Sequence, residues 1–199
     1  MKVVLASSNK GKIKEFKDIL APYNISIISL EDAGFFDEII EDGNSFFENA
    51  IIKAKTVYNK VKMPVIADDS GLCCDALDGE PGIHSARYMN LNSSVARNEA
   101  LLETLKDCKN RNASFHCSLI FYLGENEYYH FEGTLNGYIN KMMKGTNGFG
   151  YDSIFALKFG EKTLAELSQL EKNKISHRRL ALDKFVRFLE NDFINKWFS

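Results

Sequence analysis

Small polar residues and lysines lie together near the start of the chain, between a β-branched run at residues 2–6 and an amphipathic pattern at 10–20. These patterns predict a strand followed by a helix. A helix N-terminus offers unpaired backbone N–H groups and the positive end of the helix dipole, so phosphate can bind there. A capped helix start with solvated lysines is the alternative interpretation. The candidate phosphate ligands are Ser7, Ser8, Asn9, Lys10, Gly11 and Lys12.

Two consecutive carboxylates, Asp68 and Asp69, follow the apolar run at residues 65–67. A buried carboxylate is costly unless it is paired, hydrogen-bonded or metal-bound. Neighbouring strand residues point to opposite faces, so we expect one carboxylate to face a site and the other to brace the following turn. The first can hold Mg²⁺ or accept a proton from an attacking water. The alternative is an Asp-Ser-Gly turn whose side chains cap backbone groups.

Further acids, among them Glu41 and Asp42, precede a predicted helix that starts with the capping-box pair Ser45 and Glu48. Either acid can share a hard cation with a carboxylate from the strand at 65–67. Lys53 lies on the same helix and can contact a phosphate. The alternative is ordinary helix-start electrostatics with a surface lysine.

Two later segments carry groups suited to a nucleotide. Glycines beside two aromatic residues and a carboxylate suit a purine site, in which a ring stacks on the base. Cationic residues at a predicted helix start oppose the helix dipole, which favours an anionic or electron-rich ligand nearby. A glycine turn with core aromatics and a structural histidine are the alternatives. The candidates are Phe149, Gly150, Tyr151, Asp152, Lys172, His177 and Arg178.

Strand and helix patterns alternate along the chain, which predicts an α/β protein. We expect a central mixed β-sheet flanked by helices, with a hairpin at residues 114–133. A further strand is predicted at residues 151–156 and a C-terminal helix from near Ser176. Polar, glycine-bearing loops then lie at strand-to-helix junctions, where ligands bind in such folds.

Composition excludes several classes of protein. The 199 residues are 45% hydrophobic and 26% charged, so the chain is not of the disordered class. A net charge of −2 does not match the basic surface of a nucleic-acid-binding protein. The longest run without Asp, Glu, Lys or Arg, residues 112–124, is far shorter than the ~20 apolar residues of a membrane helix. Four cysteines without a Cys-x-x-Cys pair predict reduced thiols and a cytoplasmic location.

Taken together and in order, these motifs resemble those of one family, the inosine/xanthosine triphosphate pyrophosphatases or Ham1-like enzymes. The resemblance spans roughly residues 2–189, nearly the whole chain. The matching segments are residues 6–15 (ASSNKGKIKE), 41–50 (EDGNSFFENA) with Lys53, 66–72 (IADDSGL), 79–88 (GEPGIHSARY), 148–152 (GFGYD) and 175–178 (ISHR).

The resemblance implies hydrolysis of the non-standard purine nucleoside triphosphates ITP, dITP and XTP to the monophosphate and pyrophosphate, with Mg²⁺ as cofactor. It implies a single domain over residues 1–199, in which two lobes with an elongated sheet surround a nucleotide cleft. A homodimer is also implied. The small-molecule substrate is the expected partner, and neither nucleic acid nor a membrane is expected.

By position, the resemblance also implies roles for single residues. Lys12 and Lys53 are implied as phosphate ligands. Asp69 is implied as a metal ligand and as proton acceptor for the attacking water, with Glu41 as the second acidic metal ligand. The remaining substrate contacts are implied for residues 7–11, Ser70, Phe149, Gly150, Tyr151, Asp152, Lys172, His177 and Arg178.

One departure from the family's pattern is Ser153, where many relatives carry proline, and we expect it to change only local stiffness. A Maf-like pyrophosphatase acting on dTTP or UTP is the second enzyme hypothesis. The motifs at residues 148–152 and 176–178 argue against it. A nucleotide-sensing or nucleic-acid-binding module is the non-enzyme hypothesis, and the acidic residues and net charge disfavour it.

Overall fold

Residues 1–124, 127–157 and 162–193 are described by the computed structural model. The chain divides into two compact units. Unit 1 comprises Met1–Asp69, Cys117–Gly133 and the C-terminal segment from His177, and unit 2 comprises Ser70–His116 and Thr134–Ser176. The implied single domain over residues 1–199 with a nucleotide cleft stays a prediction.

One mixed sheet contains the strands of the described residues. These are β1 (Lys2–Leu5), β2 (Ser26–Ile28), β3 (Val65–Cys74), β4 (Asn112–Gly124), β5 (Glu127–Ile139) and β6 (Phe155–Leu157). Their order is β2-β1-β3-β4-β5-β6. β1 pairs in parallel with β2 and β3, whereas β5 and β6 are antiparallel. The predicted fold class, a mixed sheet flanked by helices, is confirmed.

The helices flank this sheet. They are α1 (Lys10–Leu20), α2 (Phe46–Val61), α3 (Ser94–Thr104), α4 (Gln169–Ile175) and α5 (His177–Phe188). α4 was not predicted, because its seven residues are mostly polar and too few to show an apolar period. Among the helices of the described residues, none combines the length and the apolar character of a membrane span.

Two strand predictions need correction. β3 continues through Asp68 and Asp69 to Cys74, so the alternative of an Asp-Ser-Gly turn is wrong. The strand predicted at residues 151–156 covers only Phe155–Leu157, because turns occupy residues 150–154. The left-handed backbone at Gly148 and Gly150 sets up those turns.

Unit 1 packs its helices on both faces of its strands. One core is formed with residues of α1 and α5, including Phe16, Leu182 and Phe185. The opposite core is formed with residues of α2, including Ala54 and Val57. β1, β3 and the unit 1 part of β4 therefore have two buried faces, and a polar side chain on either face must find a partner.

Gly133 lies where β5 meets the start of α5. A Cβ at this position would overlap the backbone carbonyl oxygen of His177 and crowd the backbone nitrogen of Ala181. We expect Gly133→Ala to lower the free energy of unfolding by about 1–3 kcal/mol, because extra volume in a packed site forces the backbone to shift. Urea unfolding measures this. Asn136→Ala, at an exposed position of β5, is the control, and equal stability of the two variants would contradict the prediction.

Candidate active site

β3 carries Asp68 and Asp69 to opposite faces of the sheet. Ile66 belongs to the core that α1 and α5 cover, whereas Val65 and Ala67 belong to the core that α2 covers. Side chains alternate along a strand, so Asp68 faces α1 and α5 while Asp69 faces α2. The prediction that the two carboxylates separate is confirmed, and each meets its own set of partners.

Asp69 meets a lysine and an amide from one side of α2. Lys53 Nζ lies 3.0 Å from Asp69 Oδ1, and Asn49 Nδ2 donates to Asp69 Oδ2 at 3.3 Å. Asn49 and Lys53 are four residues apart and so share a helix face. Lys53 Nζ also donates to Glu41 Oε2 at 2.8 Å. One ammonium is therefore shared by the two carboxylates predicted as metal ligands.

Hydrogen bonds with polar side chains hold the acidic segment at residues 41–44 against the first turn of α2. Ser45 Oγ accepts a hydrogen bond from Glu48 N, as predicted. The Glu48 carboxylate, however, accepts from Asn44 N at 2.7 Å, so the reciprocal bond of the predicted capping box is shifted by one residue. Gly43 N donates to Asn49 Oδ1 at 2.9 Å. These bonds hold the acidic segment beside the helix that carries the site lysine.

Asp68 is fully enclosed on the opposite face, where α1 and α5 pack. Lys12 Nζ donates to Asp68 Oδ2 at 2.9 Å, and Arg178 Nε donates to the same oxygen at 3.3 Å. Arg178 Nη1 also donates to Glu15 Oε2 at 2.9 Å. Lys12 and Glu15 are three residues apart on α1 and share a face. A predicted phosphate ligand and a predicted base ligand thus meet at one buried carboxylate.

Opposite charges keep this network ionised despite its burial. Burial alone would raise the pKa of Asp68, but Lys12, Arg178 and Lys53 hold it well below its usual range. Burial alone would lower the pKa of Arg178, but Glu15 and Asp68 raise it. Asp68 is therefore a fixed negative charge rather than a group that exchanges protons near neutral pH.

Asp69 differs from its neighbour in proton affinity. Burial raises the pKa of Asp69, and the charges of Lys53 and Lys12 offset this only in part. Burial lowers the pKa of Lys53, but the surrounding carboxylates, first Asp69 and then Asp68 and Glu41, outweigh it and raise the pKa. Asp69 is thus a carboxyl with increased affinity for a proton beside a lysine that stays charged.

The loop before α1 is a helix cap with exposed polar residues. Asn9 Oδ1 accepts hydrogen bonds from the backbone nitrogens of Gly11 and Lys12 at 2.9 and 3.1 Å. Ser7 Oγ accepts from Asn9 N at 3.2 Å, whereas Ser8 and Lys10 are exposed. The capped helix start is confirmed for Asn9. Only Lys12, among the predicted phosphate ligands of this loop, contacts the carboxylates of β3 within the described residues.

Unit 2 brings together three predicted site residues at a single carboxylate. Asp152 Oδ2 accepts from Lys172 Nζ at 2.5 Å and from Phe149 N at 2.8 Å. The Lys172 ammonium lies 4.4 Å from the centre of the Phe149 ring, in cation–π contact. Asp152 and Lys172 are almost completely buried, while Phe149 is half-buried. The loop at residues 148–152, called the aromatic loop below, is therefore tied to α4 through one lysine.

Tyr151 of the aromatic loop is directed into the interior of unit 2. Its hydroxyl donates to the backbone carbonyl of Ser85 at 2.9 Å, and burial raises its pKa. A substrate contact of Tyr151 stays a prediction, as does that of Ser70, which lies half-buried in β3 next to Asp69.

The acids beside Lys53 suit a magnesium ion. Mg²⁺ usually binds one or two carboxylates together with water and substrate phosphates, so it needs no cage of protein ligands. Asp69 and Glu41 place oxygens within 3.0 Å of one cationic atom, which shows that both carboxylates converge on a positive charge. Among the described residues, no group of three or more His, Cys, Asp or Glu side chains is arranged as a metal site. The donor set fits a metal held partly by substrate.

Several buried polar residues were not identified from the sequence, among them Glu15 and Asn98. Glu15 ends the motif at residues 6–15, follows Lys12 by three residues and precedes the core residue Phe16, and it bonds to Arg178. Asn98 lies on the buried side of α3, three residues before the core residue Leu101. In both cases the available signal was a polar residue on an otherwise apolar helix face.

Comparisons of the sequence and the structure with known proteins agree on one family. The model of the Ham1 family matches residues 3–188. The dITP/XTP pyrophosphatase of Halalkalibacterium halodurans is 47% identical, with 94% of this chain and 98% of the relative covered. That of Bacillus subtilis is 46% identical, covering 94% and 96%. The Ham1 protein structure from Staphylococcus aureus is 42% identical, with a TM-score of 0.85 over 96% of this chain and 100% of that one.

Proposed function

The chain belongs to the Ham1 family, and on this premise we propose that it hydrolyses ITP, dITP and XTP to the nucleoside monophosphate and pyrophosphate. Relatives named dITP/XTP pyrophosphatase match nearly its full length. The enzyme is a hydrolase that acts on an anhydride bond of the triphosphate. Its action removes non-standard purine nucleotides from the nucleotide pool.

The proposed function depends mainly on the arrangement of Lys53, Asp69 and Glu41 in unit 1. A triphosphate needs cations to offset its charge, and attack by water needs a positioned proton acceptor. Lys53 Nζ lies 3.0 Å from Asp69 Oδ1, so a phosphate oxygen held by the lysine would sit close to the carboxylate. An ammonium donates up to three hydrogen bonds, so a lysine can hold a carboxylate and a phosphate together.

In the proposed reaction, Asp69 accepts a proton from a water whose oxygen attacks the α-phosphorus. The bond between that phosphorus and the bridging oxygen breaks, and pyrophosphate leaves. Lys12 and Lys53 donate to the phosphate oxygens and stabilise the charge that builds up on the leaving group. The side chain of Lys12 is 14% exposed, so it is accessible while it contacts Asp68.

Mg²⁺ is part of the same proposal, with Asp69 and Glu41 as the residues that would hold it. When bound, the ion would lower the pKa of an attacking water and neutralise phosphate charge. Lys53 would then donate to the substrate while it remains within reach of both carboxylates.

We propose that the enzyme selects its substrates through hydrogen-bond donors that recognise the 6-keto group of the base. Arg178 contacts Glu15 and Asp68 and carries five N–H donors in a rigid fork, a geometry suited to a base carbonyl, and we propose it as the first donor. His177 precedes it at the start of α5 and is proposed as the second donor. Phe149 is proposed to stack on the base. A homodimer and a cytoplasmic location belong to the proposal as well.

A pyrophosphate-release assay tests the proposed function. ITP, dITP and XTP are compared with ATP, GTP, dTTP and UTP. We expect kcat/KM for the first three to exceed that for ATP and GTP by about tenfold to hundredfold, because a buried mispaired amino group is costly. EDTA should abolish the activity and Mg²⁺ should restore it. Faster hydrolysis of dTTP or UTP would favour a Maf-like pyrophosphatase instead.

A further inference from the structure

We propose that Asn98 and Thr163 are positioning residues that hold the aromatic loop in a preformed shape, ready to receive a purine base. The proposal rests on the proposed function for the identity of the ligand. Neither residue belongs to the motifs quoted above, and both are buried polar residues of unit 2. The side chain of Asn98 donates to the aromatic loop and to Ser153 next to it, whereas that of Thr163 donates to Lys144, four residues before the loop.

Asn98 anchors one side of the aromatic loop from α3. Its side chain is 2% exposed, and its Nδ2 donates to the carbonyl of Gly150 at 3.1 Å and to Ser153 Oγ at 2.9 Å. A buried amide is costly unless it is hydrogen-bonded, so these bonds favour one position of the loop relative to α3. A leucine of similar size would fill the space without fixing the loop.

Ser153 gives this anchor a feature specific to the chain. The sequence predicted that serine in place of the family's proline changes only local stiffness. The structure shows more, because Ser153 Oγ accepts the hydrogen bond of Asn98 and proline has no hydroxyl. The stiffness that proline would provide is thus replaced by a side-chain hydrogen bond to a helix.

Thr163 anchors the other side of the aromatic loop through the short turn Leu164–Glu166. Thr163 is fully buried, its Oγ1 donates to the carbonyl of Lys144 at 2.8 Å, and its side chain forms a capping box with Glu166. The threonine therefore shapes the turn and, at the same time, fixes the chain that leads into the aromatic loop.

The backbone of Ala165, at the centre of this turn, forms hydrogen bonds with residues just before the aromatic loop and with the last residue of that loop. Its carbonyl accepts from Thr146 N and Asn147 N at 3.1 and 3.0 Å, and its nitrogen donates to the carbonyl of Asp152 at 3.1 Å. Gly145 passes so close that a Cβ would overlap the Ala165 carbonyl. The turn and the segment around the aromatic loop thus form one hydrogen-bonded unit.

Between these anchors the loop takes a shape that a flexible glycine segment would not keep by itself. Gly148 and Gly150 both have positive φ, and a Cβ at Gly148 would overlap the Asp152 carboxylate. This shape brings Phe149 N to Asp152 and the Phe149 ring under Lys172. A segment ordered before binding loses less conformational entropy when the ligand arrives, so preforming the loop favours binding.

Steady-state kinetics of Asn98→Leu and Thr163→Val test the proposal. Each variant removes the hydrogen bonds while it keeps the volume, and Thr163→Ser is the matched variant that retains the hydroxyl. We expect KM for ITP to rise about tenfold in the first two, with kcat within about twofold of wild type. Thr163→Ser should keep the wild-type KM. The Ki of imidodiphosphate, a pyrophosphate analogue without a base, should not change in any variant.

Several outcomes would overturn the proposal. An unchanged KM in Asn98→Leu and Thr163→Val would do so, as would a parallel rise in the Ki of imidodiphosphate, which indicates a general structural effect. Ser153→Ala removes only the acceptor hydroxyl and replaces Asn98→Leu if that variant does not fold. A wild-type enzyme that hydrolyses none of the tested triphosphates contradicts the proposed function rather than the positioning role.

Hydrogen exchange tests the positioning role without any substrate. In the free protein, we expect backbone amides at residues 144–153 to exchange at least about tenfold faster in Asn98→Leu and Thr163→Val than in wild type. Amides of α2 are the internal control and should exchange at the wild-type rate. Equal exchange of residues 144–153 in variants and wild type would show that the two residues do not order the loop, whatever the enzyme hydrolyses.

Discussion

Replacing Asp69 by asparagine is expected to lower kcat for ITP hydrolysis by about 10³-fold, within the usual range for loss of a general base. Asparagine has nearly the same shape, so the contacts with Asn49 and α2 can largely remain. An amide cannot accept the proton of the attacking water, and it is a poorer ligand for Mg²⁺. Pyrophosphate release measured at saturating ITP reports the loss directly.

The matched control for this variant is Asp37→Asn. Asp37 forms an exposed ion pair with Lys60 at 3.2 Å in the same unit, so it tests the loss of one exposed carboxylate. It should keep kcat within about twofold, because exposed ion pairs contribute little to stability. If Asp69→Asn is folded by circular dichroism and keeps kcat within tenfold of wild type, Asp69 is not the proton acceptor.

The two consecutive aspartates illustrate which features of this protein can be predicted from its sequence and which cannot. The alternation of strand side chains is a local property, so it correctly predicted that Asp68 and Asp69 point to different faces. The partners of each aspartate depend on which helix covers which face. Arg178 is 110 residues from Asp68 in the sequence, and no local pattern encodes that contact.

Helices with a clear apolar period were predicted with nearly correct ends, as α1 shows. Its cap, Asn9, has a local mechanism, because the side chain bonds to nitrogens two and three residues ahead. The short helix α4 lacked such a period and was missed. A long apolar face makes the burial of a helix evident in the sequence, whereas a short capped helix has only a few polar residues that also fit a loop.

Asn98 shows a different limit. Its acceptors, Gly150 and Ser153, lie 52 and 55 residues away, and the asparagine itself resembles any polar residue of a surface helix. Only its place among apolar neighbours on α3 indicated burial. Residues that hold a site in position through tertiary contacts alone are thus harder to predict than residues that belong to a recognisable motif.

Replacing Arg178 by methionine is expected to lower the free energy of unfolding by about 3–5 kcal/mol, the usual cost of removing one partner from a buried ion pair. Methionine keeps much of the side-chain volume but removes the charge that faces Glu15 and Asp68, both fully buried. Arg178→Lys should recover only part of the loss, because one ammonium cannot reproduce the fork that spans two carboxylates. Urea unfolding at neutral pH measures each variant.

The neighbouring residue supplies the matched control. Arg179 pairs with Asp183 at 2.7 Å, but both side chains are about one-third exposed, so Arg179→Met should cost no more than about 1 kcal/mol. The double variant Arg178→Met/Glu15→Gln should be more stable than Arg178→Met alone, because it removes a buried charge that has lost its arginine. Equal losses in Arg178→Met and Arg179→Met would mean that the buried network does not depend on Arg178, and its role in holding Asp68 as a fixed charge would have to be abandoned.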